Sequence, residues 1–359
     1  MSLLIGRFPS ARRAACIFLP AAALGSASAC RAPIRSRSPQ PLTTTVQLVA
    51  DESEASVAII EHHAHAEPVE PSEWRALFNS AGYRALVARD STFGSPRDDS
   101  AFARFLMRDS LAARVRDLSE QVRAMAHLDV TRAAQQALSY APPNARIVAT
   151  IFPVVKPQSN SFVFGPDTAP QLFLFVNVDE TSAHFFNRLT HELHHVALNT
   201  ACAADPAPTL AEPVHALVRN LGGFGEGLAM LAAAGSPNVD ANAESDAATR
   251  ARWDAGVRAY PRQFAQIEKM VRDVVEGRIA TRDSVRALAQ TFYGAQGPWY
   301  VVGWKMAATI EQVFGRQTLI AAMCDPRRLM AAYNRAAALA STSLPRWDPQ
   351  LLAALRTPE

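Results

Sequence analysis

Past residue 50, apolar positions recur at the intervals that line up side chains on one face of an α-helix. From Asp51, residues Ala55, Ile59 and Ile60 form one such stripe, ending before Pro68. Trp74, Leu77, Phe78, Tyr83, Leu86 and Val87 form a second, interrupted at Gly82, and Phe102 to Leu138 is a further long helical region. Ahead of them, Val46 to Val49 is only a short apolar stretch. The period changes at Ala145. Ile147 to Val155, Ser161 to Phe164 and Gln171 to Val178 are short runs rich in β-branched and aromatic residues, punctuated by Pro153, Pro157, Gly165, Pro166 and Pro170. They predict a small sheet of about three strands. From Thr209 to Leu355 helical spacing returns, with breaks at Gly222–Gly223, Gly235 to Pro237, Gly294 to Pro298 and Pro326. The predicted class is α+β, mostly α-helical, with the small sheet leading directly into one central helix.

Composition refines this picture at the N-terminus. Arg7, Arg12 and Arg13 precede the apolar run Ala14 to Leu24 and then small residues through Ala29. That is a secretory leader pattern, too short for a comfortable membrane span once Pro20 is counted. Residues 1–29 are therefore expected to be a signal peptide, and residues 30–45 a flexible linker. Ala27-Ser28-Ala29 suits simple cleavage, while Ala29-Cys30 is similar to a lipoprotein box that would leave a lipid anchor on Cys30, with Ala27 where leucine is usual. Residues 46–144 are expected to form a helical N-terminal section and residues 145–359 a second region that holds the small sheet and the central helix. The expected location is the bacterial periplasm, the cell surface or outside the cell.

The net charge of +3 comes from 36 basic and 33 acidic residues. Loss of Arg7, Arg12 and Arg13 with the leader balances the chain, so its basic pI is no argument for nucleic-acid binding. Apolar content of 49% and charged content of 19% describe a globular protein with a substantial core. Cys202 and Cys324 remain in the body; an oxidising compartment permits a disulfide between them, and sequence leaves open whether they meet.

The central helix, taken as Ser182 to Asn199, carries the chemistry. Phe185, Leu189, Leu193 and Val196, flanked by Phe186 and Ala197, form a continuous apolar face. His184, Arg188, His191 and His195 fall on the opposite side. His191-Glu192-Leu193-His194-His195 is an HExxH run, in which histidines four apart share one face and can hold a single zinc ion. Glu192 then lies where its carboxylate can act as general base on a zinc-activated water. Three protein ligands are needed. A continuation as HExxHxxGxxH is excluded, because Leu198 and Ala201 occupy its glycine and histidine positions. Glu226, between Gly225 and Gly227, is the favoured third ligand; Glu212, Asp205 and His215 are rivals.

With a downstream glutamate the arrangement is gluzincin-like. Thr190 to His195 with Gly225-Glu226-Gly227-Leu228-Ala229 resembles bacterial zinc-dependent peptidases filed as a domain of unknown function. Trp299 to Met306, Ile310-Glu311 and Phe314-Gly315-Arg316 also resemble that group, and Trp74 to Asp90 does so more weakly. The resemblance implies a zincin-like core, Zn(2+) held by His191, His195 and Glu226, and Glu192 as base. Such enzymes add a tyrosine or histidine to stabilise the oxyanion; Tyr300 is the choice here and Tyr293 the reserve. His194, off the metal face, is expected at substrate, behind the ligands or in solvent. His184 is expected in the cleft or in solvent. Asp179 or Thr181 is expected to cap the helix. The group His62, His63 and His65, with Glu61 and Glu67, has the residue types for adventitious metal binding only.

The function expected is an exported zinc peptidase acting on peptides or unfolded protein, with the strand Gln171 to Val178 as the edge that pairs with an extended substrate. A zinc hydrolase of another amide or ester is a variant of that reading. The alternative from a different class is a cell-surface binding lipoprotein with structural or no metal, which the intact His191, Glu192 and His195 disfavour.

Overall fold

The structure, a computed structural model, describes residues 44–165, 170–294 and 296–355. The leader at 1–29, Cys30 and the linker as far as residue 43 lie outside the described residues. Strand β1 (Thr44–Leu48) is followed by helices α1 (Asp51–Ala64), α2 (Pro71–Asn79), α3 (Ala81–Thr92), α4 (Asp99–Leu106), α5 (Asp109–Ala112), α6 (Val115–Ala126) and α7 (Val130–Leu138). The long helical region after Phe102 is thus several helices. Asp98 and Asp129 restart two of them by accepting from the amides of Ser100 and Arg132.

Strands β2 (Ile147–Val154), β3 (Phe162–Phe164) and β4 (Gln171–Phe175) come next. They join β1 in a four-stranded sheet of order β1-β2-β4-β3. Two expectations are corrected here. The sheet has four strands, because β1 pairs in parallel with β2 from Thr44↔Ile147 to Leu48↔Ile151. A five-residue run whose partner lies about a hundred residues away carries too little local signal to be separated from a linker. Nor is β4 the edge. It is parallel to β2 on one side and antiparallel to β3 on the other, with Phe162↔Phe173 in register. The backbone of β4 is therefore already paired on both sides, and the edge beside it belongs to β3.

The remaining chain is helical: α8 (Ser182–Ala201), α9 (Val214–Asn220), a 3-10 turn (Leu221–Phe224), α10 (Gly225–Ala234), α11 (Ala247–Arg258), α12 (Tyr260–Val275), α13 (Arg282–Gln290), α14 (Pro298–Phe314), α15 (Arg316–Ala322), α16 (Pro326–Ala340) and α17 (Pro349–Ala354). Pro298, Pro326 and Pro349 each stand in a first turn, where the missing amide costs nothing. Gly235 closes α10 in the left-handed conformation.

Helix α8 is the wall between two cores. Phe185, Leu189, Leu193, Val196 and Ala197 are buried with front-section residues such as Ile59, Leu77 and Phe102 and with sheet residues such as Ile151 and Leu172. The front helices are thus a packing layer behind α8. On its other side lies the second core, built on α9 to α17 around Phe224, Trp299, Tyr333 and Trp347. Cys202, at the C-terminal end of α8, is bonded to Cys324, between α15 and α16, across 122 residues of chain. Sequence had left that pairing open.

The tightest contact joins α10 to α14. A methyl group on Gly227 would collide with the backbone of Gly303 and Trp304, and one on Gly303 with the Phe224 carbonyl. Gly227→Ala is therefore expected to cost about 3 kcal/mol or more, whereas Gly225→Ala, with nothing within 4 Å, should be nearly neutral. Equal denaturation midpoints for the two variants would disprove the contact.

Glu52 supplies a pH signature. It is fully buried in the first turn of α1 and accepts from the Ser56 hydroxyl and from the Val155 amide beyond β2, both at 3.0 Å. Burial pushes its carboxyl from 4.5 up to about 8, against the lowering effect of those hydrogen bonds. The folded state thus holds this proton more tightly than the unfolded chain. Its contribution is present in full below pH 4.5 and is lost as pH rises through about 8. Stability should fall between those limits, and the fall should be shallower in Glu52→Gln; parallel pH profiles of denaturation would refute this.

Candidate metal centre

Helix α8 begins at Thr181, whose hydroxyl accepts from the His184 amide at 3.1 Å. Asp179 does not cap it; that carboxylate pairs with Arg114 at 2.8 Å. Because the apolar face of α8 is held by the front core, His191 and His195 are directed at α10. There Glu226 stands in the first turn, one residue ahead of the close contact at Gly227. Among the described residues these three form the one group able to hold a metal ion.

The geometry can be tested against zinc. His191 Nε2 and His195 Nε2 are 3.1 Å apart, and Glu226 Oε2 lies 3.2 Å from the first and 3.4 Å from the second. A tetrahedral ion with bonds of about 2.0–2.2 Å holds its ligand atoms roughly 3.3–3.6 Å apart. The triangle matches one face of that tetrahedron to within a few tenths of an ångström. Two imidazoles and a carboxylate are also the donor set of a catalytic zinc site, which leaves a fourth position open. The electrostatics agree. Burial alone would lower the His195 imidazole, but the Glu226 carboxylate outweighs it and carries the ring up to about 9. Burial alone would raise the Glu226 carboxyl, yet the His195 and His191 rings hold it well below the usual carboxylate range. Positive charge is favoured at the centre of the triangle.

Glu192 is buried and takes no hydrogen bond or ion pair from any described residue. Its charge nevertheless bears on both His195 and Tyr300. Tyr300, in the first turn of α14, stacks over His191 with ring centroids 6.3 Å apart and planes 15° from parallel. Burial, and then the Glu226 carboxylate, push its phenol far above the ordinary range, so it stays protonated. Tyr293 is raised by the same two causes. Both tyrosines therefore lie beside the cluster.

The rivals for the third ligand do not approach. His215 binds Asp205 at 2.8 Å and Glu212 at 3.2 Å in a group of their own. His194 requires a correction: it is fully buried, on neither substrate nor solvent side, and its Nε2 donates to the Tyr140 carbonyl at 3.1 Å. Burial lowers its pKa to about 3 and keeps the ring neutral. Its position on α8, a quarter turn off the metal face, points it at the segment after α7. His184 is half-buried and held by Glu180 at 3.0 Å and by the Ser245 hydroxyl at 3.2 Å. Glu180 also takes Arg188 at 2.6 Å, and Arg188 donates to the Phe175 carbonyl at the end of β4. This brace between sheet and motif helix was not read from the sequence; its signal is Glu180 standing four residues before His184 and eight before Arg188. His62 is paired with Glu67 and Glu73, and His63 with Asp109, at the surface.

Excess zinc should raise the melting temperature of the wild type, by the equivalent of about 2.7 kcal/mol at a hundredfold excess over Kd. His191→Ala and Glu226→Ala should abolish that rise and bind no stoichiometric metal. Retention of zinc by Glu226→Ala, read by metal analysis, would remove it from the ligand set.

No curated protein and no solved structure matches the chain. Residues 74–342 match the family whose description reads "Putative zinc dependent peptidase (DUF5700)". That span contains α8, Glu226 and Tyr300, together with most of both cores. A zinc-dependent family is what the His191, His195 and Glu226 triangle calls for, and the chain belongs to it.

Proposed function

We propose that the protein is an exported, gluzincin-type zinc peptidase in which His191, His195 and Glu226 hold the metal. The observation that carries the reading is the tetrahedral spacing of those three ligand atoms, with Glu192 on the same helix and a protonated Tyr300 stacked on His191. Bound zinc supplies Lewis acidity toward a carbonyl oxygen and acidifies a water. Glu192 takes the proton of the attacking water and passes it to the departing amine. Its lack of a hydrogen-bonding partner among the described residues suits a group that must exchange protons. Tyr300 donates a hydrogen bond to the oxygen on which negative charge develops, and its raised pKa keeps it a donor at neutral pH. Helices α10 and α14 hold the third ligand and this donor in one frame.

Export is supported by the charged, apolar and small-residue order of the leader and by the Cys202–Cys324 disulfide, a bond that persists in oxidising compartments. With β4 paired on both sides, the edge beside it, β3, is the one we assign to an extended peptide, β1 being the other edge of the sheet.

In hydrolysis of a mixed peptide library, Glu192→Gln should lose about 10²–10⁴-fold in rate while keeping its zinc. Tyr300→Phe should lose about 10²–10³-fold in kcat, also with zinc retained. Full zinc occupancy without cleavage of any peptide by the wild type would overturn the peptidase reading in favour of a binding protein.

A further inference from the structure

A cavity of about 330 Å³ opens beside the metal centre, with His195 on its wall. Its helix side continues down the metal face of α8 through Leu198 and Asn199 to Cys202. Opposite, Met323, Cys324 and Leu329 close it, so the Cys202–Cys324 disulfide spans its floor. Val218, Phe224 and Leu228 stand behind an apolar part of the wall, and polar atoms line nearly as much of the cavity. This size is at the small end of ligand pockets, enough for a single side chain.

The glycines between α9 and α10 divide into two kinds. Gly223 and Gly227 are required for packing, since a Cβ on the first would press into Trp299 at 2.6 Å and one on the second into α14. Gly222 and Gly225 have nothing within 4 Å of a Cβ, and both line this cavity. Packing does not require glycine at either position, since a Cβ there would meet open space.

Arg219 lines the same cavity. Its guanidinium makes no hydrogen bond or ion pair with any described residue. It also borders a second cavity of about 400 Å³, shared with Glu212, Arg282 and Arg286. Glu212 is already engaged by His215 and by the Ala216 amide. Arg219, an exposed side chain, is thus the cation shared by the two cavities, and Arg282 and Arg286 line only the second.

We propose that this cavity receives the apolar C-terminal residue of a peptide substrate, with Arg219 binding its free carboxylate. The proposal rests on the peptidase reading above and gives that site a substrate class. One residue of extended chain advances about 3.5 Å, so a carboxylate one residue past a carbonyl at the metal centre stays within the reach of one such cavity. Arginine matches a carboxylate with two parallel hydrogen bonds. The reaction is then hydrolysis of the last peptide bond. The C–N bond breaks, water oxygen joins the acyl carbon, and the leaving amine takes the proton through Glu192 to depart as a free apolar amino acid.

The test compares acetylated peptides ending in phenylalanine as free acid, in phenylalaninamide and in lysine as free acid, on the zinc-loaded protein. The acid should exceed the amide, and phenylalanine should exceed lysine, by about tenfold or more in kcat/KM. Arg219→Ala should bring the acid-to-amide ratio close to one, mainly through KM, and Arg219→Lys should restore part of it. Gly222→Phe should reduce the preference for phenylalanine over alanine at the last position. Equal cleavage of acid and amide by the wild type, or an unchanged ratio in Arg219→Ala, would overturn the proposal. Calorimetry of N-acetyl-phenylalanine against its amide on the metal-free protein gives a readout independent of hydrolysis. Selective binding of the acid, lost in Arg219→Ala, supports the pocket even if no peptide is cut, and no selectivity counts against it.

Discussion

The close approach of α10 to α14 is the constraint on which the rest of the site depends. Gly227 and Gly303 let the two backbones touch, and a methyl group at either position would meet main chain that cannot yield. Glu226 precedes one of these glycines and Tyr300 lies three residues before the other. The spacing of their two helices is thereby set by backbone contact instead of by adjustable side chains. A metal triangle with edges of 3.1 to 3.4 Å needs that rigidity, because a shift of an ångström would spoil it.

Helix α8 completes the frame from the other side. Its apolar face is fastened to the front helices and the sheet, and the brace from Glu180 through Arg188 to the Phe175 carbonyl ties its first half to the end of β4. At its far end the Cys202–Cys324 disulfide ties it to the C-terminal helices. The metal face is left with His191 and His195 toward Glu226 and a pocket below them. Two cores meeting across one helix thus bury its apolar face and leave His191 and His195 partly exposed.

Much of this was legible in the chain. The helical period of Phe185, Leu189, Leu193 and Val196 located the buried face of α8, and the four-residue spacing of His191 and His195 located the metal face. Glycines on either side of Glu226 marked a close helix approach, and Gly227 makes it. The sheet was less legible: β1 has five residues and an alternating, half-exposed pattern, and its partner β2 lies far along the chain. Whether a strand is interior or edge depends on which neighbours arrive on each side, so β4 could not be distinguished from an edge by its own residues. His194 shows a similar limit. The helix wheel separated it from the metal face, but only the carbonyl of Tyr140, brought in from another segment, shows that it is sealed in the core.

Sequence alone determined the pairing of His191 and His195 on one face, the apolar face of the motif helix and the class of the fold, because these follow from local periodicity and the chemistry of single residues. Only the tertiary structure decided which carboxylate joins the two histidines, that Cys202 meets Cys324, and that Gly222 and Gly225 open onto a cavity ending at Arg219. Those outcomes depend on contacts between segments distant in sequence. Packing between such segments, rather than any local preference, brings the atoms together.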